Sequence, residues 1–233
     1  FHTIALSDSS LNAIGSFVII DTACIDTITH TNFSGFFPDT VTVDYGLSGQ
    51  AACSDGNQRS GKLKIIFPGK YAGIRQDFTV IPENYYLNGY KTEGKTDISV
   101  RGRNSANNLY FSIEINNGII SNDSIHLTFF APCDQHTSTF QREWVSGEST
   151  TAISDDVFQL TGAYGGSASK GTAYQCEITS PLKNQADCKW ISGGKEKLLP
   201  LNLSPRVVDY GNGCDNKTIV NINGKDYEVS LLP

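Results

Sequence analysis

Most of the chain consists of short runs in which apolar and polar residues alternate, and clusters of Gly, Asn, Asp and Ser separate these runs. Alternation with a period of two is typical of strands that bury one face, and the polar clusters are typical of turns. The runs cover residues 17–20, 40–45, 62–67, 76–81, 85–90, 98–101, 108–115, 124–130, 139–145, 157–160, 173–178, 189–191, 206–210, 218–222 and 226–231. One helical turn is predicted, at residues 11–14. The pattern therefore predicts an all-β protein of antiparallel sheets, either sandwich-like or an elongated meander.

A short box occurs twice in the chain. In both copies a β-branched run ends in Asp-Tyr-Gly, a polar turn carries one cysteine, and Gly-Lys opens another alternating run, as in a hairpin. The members are Asp44-Tyr45-Gly46, Cys53 and Gly61-Lys62 in the first copy, and Asp209-Tyr210-Gly211, Cys214 and Gly224-Lys225 in the second. A further cysteine precedes each copy at nearly the same spacing, which indicates an internal duplication.

The duplication predicts how the chain is divided. Residues 1–15 form an N-terminal tail, residues 16–146 a first β half, and residues 156–233 a second β half. A sheet duplicated end to end can share one core, so we expect one continuous β unit rather than two independent domains.

The six cysteines include no Cys-x-x-Cys pair and no Cys/His cluster with zinc spacing, which favours three disulfides. If equivalent units contain equivalent bridges, Cys24 pairs with Cys53 and Cys188 pairs with Cys214. Cys133 and Cys176 then pair with each other. The alternative is that the cysteines are small buried thiols. Disulfides would require an oxidising compartment, and hence export from the cytoplasm.

Charge and hydropathy narrow the possible partners. With 233 residues and a net charge of −6, the chain lacks the clustered Lys/Arg surface that nucleic-acid binding needs. Its longest apolar runs are far shorter than a membrane span. Because the chain begins at Phe1 without an initiating Met, we expect a removed targeting segment, and any membrane attachment would come through a missing N-terminal anchor.

Four segments of the chain carry a resemblance to known sequences: Cys53 to Lys62, Tyr86-Leu87-Asn88-Gly89-Tyr90, Cys188 to Gly194, and Val208 to Lys217. Together they resemble a family of uncharacterised exported lipoproteins of Bacteroidota. The likeness extends over most of residues 20–232. It implies an envelope or surface location and a lipidated N-terminal cysteine, which this chain does not contain, and it implies no known activity.

Four three-residue segments of the chain resemble the Asp-Ser/Thr-aliphatic pattern that this phylum uses for O-glycosylation of exported proteins. The candidate acceptors are Thr22, Thr27, Thr40 and Ser124. Each match is only three residues long, and alternating strands also produce such triplets by chance.

Catalytic and metal-binding patterns are weak in this sequence. There is no Gly-x-Ser-x-Gly elbow, and none of the four histidines has a recognisable catalytic context. No spacing pairs two carboxylates as glycoside hydrolysis requires. The loops at Asp55-Gly56-Asn57 and Asp215-Asn216 do not match a calcium loop. We therefore expect no enzyme activity, no cofactor and no metal, with a glycosidase as a minor alternative.

Aromatic residues offer the best binding candidates. Tyr86, Tyr90 and Trp144 could stack on sugars or anchor a protein partner, although tyrosines and tryptophans also fill cores. Our leading hypothesis is a non-catalytic surface protein, structural or adhesive, that could be a filament or complex subunit and joins partners or itself by strand addition. The segments 1–20 and 226–232 are candidates for that addition. The alternative is a carbohydrate-binding module.

Overall fold

The computed structural model describes residues 24–31, 38–47, 52–53, 56–68, 77–129, 137–150, 152–168 and 171–231. The helical turn predicted at 11–14 and the strand predicted at 17–20 lie outside these residues. The strands are β1 (Thr27–His30), β2 (Asp39–Asp44), β3 (Arg59–Phe67), β4 (Phe78–Leu87), β5 (Tyr90–Arg103), β6 (Leu109–Ser121), β7 (His126–Phe129), β8 (Thr137–Ser146), β9 (Val157–Ser167), β10 (Ala173–Gln185), β11 (Ile191–Pro200), β12 (Arg206–Asp209), β13 (Lys217–Ile222) and β14 (Lys225–Ser230). The predicted all-β class is confirmed: the described part of the chain contains no α-helix, and Ile153–Asp155 forms a short 3-10 turn.

The strands form one antiparallel sheet of 14 strands. Each strand pairs with its neighbour along the chain, so the topology is a meander. The exception is β7, which pairs with residues 118–121 of β6 while β8 pairs with residues 110–116 of the same strand. The hydroxyl of Tyr174 donates to the carbonyl of Thr128 at 2.9 Å, which joins β7 to the more distant strand β10.

One predicted strand is divided by a turn. The run 85–90 contains Asn88-Gly89, and both residues have positive φ, 52° and 81°. Asn-Gly is the preferred dipeptide of a two-residue hairpin because both positions of that turn require positive φ. The chain therefore reverses here, with Leu87 opposite Tyr90.

The apolar core cluster lies mainly on the first strands of the sheet. Alternate residues of β2, β3 and β4 point into it, including Val43, Leu63 and Val80, each exposed by 2% or less. Burying an aliphatic side chain of this size contributes about 1.5–3 kcal/mol. Leu160 and Ile178 of the second half pack against the same cluster, so the apolar core includes residues from both halves.

Two of the three predicted disulfides are present. Cys24 is bonded to Cys53 and Cys188 to Cys214, with Cα–Cα distances of 4.9 and 5.8 Å. Cys24 precedes β1 and Cys53 follows β2; in the same way, Cys188 precedes β11 and Cys214 follows β12. The prediction for Cys176 is corrected, since this residue is a free, buried thiol. Its predicted partner, Cys133, lies outside the described residues.

Candidate functional site

The first Asp-Tyr-Gly box forms a polar corner where β2 ends. Asp44 lies opposite Lys62 on β3, and their carboxylate and ammonium groups are 2.8 Å apart. The same carboxylate accepts a hydrogen bond from the N–H of Gly46 at 2.9 Å. The bond from Lys62 and that from Gly46 lower the pKa of Asp44, so this carboxyl stays charged at neutral pH.

A glycine lets the next strand approach this corner. Gly61 has a φ of +79° and begins a bulge in the pairing of β3 with β4. A Cβ atom here would overlap the carbonyl oxygen of Asn84 on β4. Only glycine combines that conformation with so close a contact, so Gly61 fixes the distance between the corner and β4.

An open groove of about 840 Å³ lies beside this corner. Its walls come from the box, from the start of β3 and from the end of β4. We call it the box groove, and it is lined by Asp26, Asp44, Gly46, Leu47, Gln58, Arg59, Ser60, Gly61, Lys62, Glu83, Asn84, Tyr86 and Gly89. Its volume is within the range of small-ligand sites.

Asn88 holds one wall of the box groove in place. Its side-chain oxygen accepts from the N–H of Gln58 at 2.9 Å, and its side-chain amide donates to the oxygen of Asn57 at 2.8 Å. Its backbone N–H also donates to the carbonyl of Gln58 at 2.8 Å. These three bonds tie the β4–β5 turn to the residues that precede β3, so the wall is ordered before any ligand arrives.

The second box repeats this corner with a different partner strand. Asp209 accepts from the N–H of Gly211 at 3.0 Å and contacts the ammonium of Lys195 at 2.7 Å. Lys195 belongs to the preceding strand β11, next to Gly194, whose Cβ would overlap the carbonyl of Pro181. Gly224-Lys225 opens the next strand, β14, as the sequence pattern predicted, but the lysine that pairs with Asp209 comes from the Gly194-Lys195 pair instead.

The box groove brings three carboxylates together, which the sequence did not pair. Asp26, Asp44 and Glu83 all line it. A general acid for glycoside hydrolysis needs a raised pKa. Asp44 has the opposite shift because Lys62 stabilises its charged form. Among the described His, Cys, Asp and Glu residues, no group of three or more could hold a metal ion.

A carboxyl group with a raised pKa lies in a different part of the sheet. Asp156, which is 4% exposed, accepts a hydrogen bond from the indole N–H of Trp144 at 3.2 Å. Burial raises the pKa of Asp156 to about 6, although the Trp144 bond and the charge of Arg142 oppose the shift. Asp156 is therefore part of a buried cluster, in which the Arg142 guanidinium also lies 3.6 Å above the Phe158 ring centre.

The three predicted binding aromatics do not form a row. Trp144 is 2% exposed and packs on Phe158 with ring centres 5.4 Å apart, so the prediction that it binds a ligand is corrected. Tyr90 is half-buried at the start of β5. Tyr86 is 40% exposed and lines the box groove, so it alone of the three has an accessible face in a concave site.

The free thiol of Cys176 belongs to a second buried polar cluster. Glu196 on β11 accepts from the hydroxyl of Tyr210 at 2.8 Å and from that of Tyr164 at 3.2 Å. Burial, together with the charge of Glu196, raises the pKa of Cys176 to about 12. A thiol in this state is a poor nucleophile.

The predicted glycosylation acceptors differ in accessibility. Thr27 is exposed at the start of β1, and Ser124 is exposed in the turn before β7. Thr40 is only partly exposed within β2. Thr22 lies outside the described residues.

The chain was compared with known proteins in three ways. No protein-family model matches it, no curated protein matches it significantly, and no solved structure does so either. Among the described residues, no helix has the length and apolar character needed to cross a membrane. The two disulfides indicate an environment outside the cytoplasm.

Proposed function

We propose that the protein is a non-catalytic, exported component of the bacterial surface that assembles with further copies of itself by strand addition. The observation that carries the proposal is the last strand, β14. All six of its residues are exposed, and within the described part of the chain it pairs only with β13. An unprotected edge strand presents a row of N–H and C=O groups that another strand can pair with.

The hydrogen-bond pattern identifies which groups of β14 are available. Leu231 donates its N–H to the carbonyl of Asn216 at 2.6 Å, in register with the β13–β14 ladder. Because bonded residues alternate along an antiparallel strand, Lys225, Tyr227 and Val229 bond to β13. The N–H groups of Asp226, Glu228 and Ser230 therefore point away from the sheet.

One face of the three-stranded end of the sheet, β12 to β14, supports the same proposal. Val208, Val220 and Tyr227 lie opposite one another across β12, β13 and β14, and Val229 lies on the same face. Tyr227 and Val229 are 43% and 42% exposed. An added strand would extend this face and cover part of its apolar surface.

The most suitable partner strand is β1 of a second copy. Two β14 strands paired with each other would bring Asp226 of one copy close to Glu228 of the other, and like charges opposite each other are destabilising. The four residues of β1 carry no Asp, Glu, Lys or Arg, all are exposed, and in the described part of the chain β1 pairs only with β2. Addition of β14 to β1 is head-to-tail and generates an open series rather than a closed dimer.

The test is light scattering coupled to size-exclusion chromatography over a range of concentrations. We expect wild-type protein to form a concentration-dependent series of oligomers. Glu228→Pro removes an outward N–H and should leave a monomer, and Ile28→Pro should do the same from the β1 edge. A wild-type chain that stays monomeric at high concentration, or that forms only a discrete dimer, overturns the proposal.

The matched control is Glu228→Gln. It removes the charge of Glu228 and its contact with Lys217, a pair in which both side chains are more than 60% exposed, but it keeps the backbone N–H. We expect this variant to assemble like the wild type, because exposed ion pairs contribute little. Circular dichroism of each proline variant verifies that the sheet itself remains folded.

A further inference from the structure

We propose that the box groove is a binding site for a neutral oligosaccharide. The groove is formed by β2, β3 and β4 with residues that flank the strands, and it includes no residue of β1 or β14, the two strands on which self-assembly depends. The proposal assigns a class of ligand to Tyr86, which is the one predicted binding aromatic that lines the groove.

The first support is an apolar surface inside a polar groove. Tyr86 is 40% exposed, and Leu47 on the rim is 84% exposed. The flat face of a tyrosine packs on the C–H face of a sugar ring while its hydroxyl remains available for a hydrogen bond. Leu47 is the most exposed large hydrophobic residue of the described chain, and a sugar bound on Tyr86 would remove part of its surface from water.

The second support is the mixture of donors and acceptors around that surface. Asp26, Asp44, Gln58, Asn84 and Ser60 line the groove, and these residues carry carboxylate, amide and hydroxyl groups. Sugar hydroxyls both donate and accept, so they suit a lining of this kind. A few placed polar groups beside an apolar face are typical of small-molecule sites.

The charge balance selects a neutral ligand. The groove is lined by three acidic and two basic side chains, Asp26, Asp44, Glu83, Arg59 and Lys62. Asp44 is paired with Lys62 at 2.8 Å, and Glu83 is paired with Lys64 at 2.6 Å. Neither a strongly anionic nor a strongly cationic ligand would find an excess of opposite charge here.

The third support is that the walls are ordered in advance. Asn88 ties the β4–β5 turn to Gln58, Gly61 holds β3 against β4, and the Cys24–Cys53 bridge closes the loops next to the box. A preorganised site loses little conformational entropy when a ligand binds. Weak contacts, such as those that sugars make, can then suffice for binding.

The experiment is an array of immobilised neutral, sialylated and sulfated glycans, followed by titration calorimetry with the free form of each hit. We expect neutral glycans to bind. Tyr86→Ala should weaken their affinity at least tenfold, and Asp44→Asn should weaken it severalfold. Binding only to charged glycans overturns the proposal, and so does an array without hits.

Two matched controls distinguish the groove from the rest of the surface. Tyr227→Ala removes a tyrosine of similar exposure on β14, and Asp209→Asn changes the equivalent carboxylate of the second box. Both should bind glycans like the wild type, and loss of binding in either would place the ligand elsewhere. Repeating the titration with Glu228→Pro separates the two proposals, because a monomeric variant should keep its glycan affinity.

Discussion

The carboxylate of Asp209 pairs with Lys195 on the strand that precedes it, whereas Asp44 pairs with Lys62 on the strand that follows it. The local geometry is nevertheless the same, since Tyr45 donates its N–H to Gly61 and Tyr210 donates to Gly194. The two corners therefore have equivalent contacts with opposite chain order. This similarity arises from the antiparallel sheet, in which either neighbour of a strand can present a Gly-Lys pair at the same height.

Substitution of Gly61 by Ala should destabilise the protein strongly. The new Cβ would overlap the backbone of Asn84, which belongs to a central strand, and φ is +79°. We expect a loss of about 3 kcal/mol or more in the free energy of unfolding, combining backbone strain with overpacking. Urea denaturation measures it.

Gly211→Ala is the control for this substitution. Gly211 has a φ of +70°, but nothing lies within 4 Å of its Cβ position. It should cost only the conformational strain, about 1–2 kcal/mol. Equal losses for the two variants would contradict the argument that close contact with β4 makes Gly61 necessary.

Ionisation of the buried Asp156 should lower the free energy of unfolding as the pH rises. Its pKa is about 6 in the folded chain and about 3.9 in an unfolded one, so between these values the folded state binds more protons. The stabilisation that the protonated Asp156 carboxyl gives the folded state is complete below about pH 4 and is lost above about pH 6. It changes the free energy of unfolding by a total on the order of 2–3 kcal/mol.

The measurement is urea unfolding of wild type and Asp156→Asn at pH 4.5 and pH 7.5. Asparagine keeps an oxygen that accepts from the Trp144 indole but cannot ionise. We expect the variant to be more stable than wild type at pH 7.5 and the difference to shrink at pH 4.5. A difference that does not change with pH would contradict the raised pKa.

Cys176 should resist alkylation in the folded protein. With a pKa of about 12, its thiolate fraction at pH 8 is on the order of a thousandfold lower than that of an ordinary cysteine, and its side chain is buried. Peptide mapping after iodoacetamide treatment should find it unmodified before denaturation and labelled after it, without reductant. Recovery of Cys176 in a disulfide-linked peptide would contradict the free thiol.

The strands with one buried face were predictable from their sequence. β2 was predicted at 40–45 and observed at Asp39–Asp44, because its residues alternate between buried and half-buried positions. β1 was missed because Ile28 is its only aliphatic residue, so it shows no alternation of apolar and polar positions. β11 was predicted only to Ile191, since Gly193-Gly194 and the Lys-Glu-Lys run after it interrupt the alternation.

The box groove was less accessible to sequence reasoning. Tyr86 was identified, but Leu47, Gln58 and Glu83 join it only because the end of β2, the start of β3 and the end of β4 lie side by side in the sheet. The Asn88-Gly89 dipeptide was the available signal, because a turn there brings Tyr86 to the end of its strand. Trp144 could not be placed from sequence, since its burial depends on pairing with Phe158 of the next strand.

The meander has a mechanical consequence. β1 and β14 are the first and last strands of the sheet. Tension applied between them therefore loads the hydrogen bonds of one strand pair after another, and not all pairs at once. Strands that no sulfur bridge encloses should detach one at a time under low force. The two sulfur bridges enclose β1–β2 and β11–β12, and these strand pairs would stay closed while the other strands extend. A chain held at both ends would then lengthen in steps under load and shorten again when the load falls.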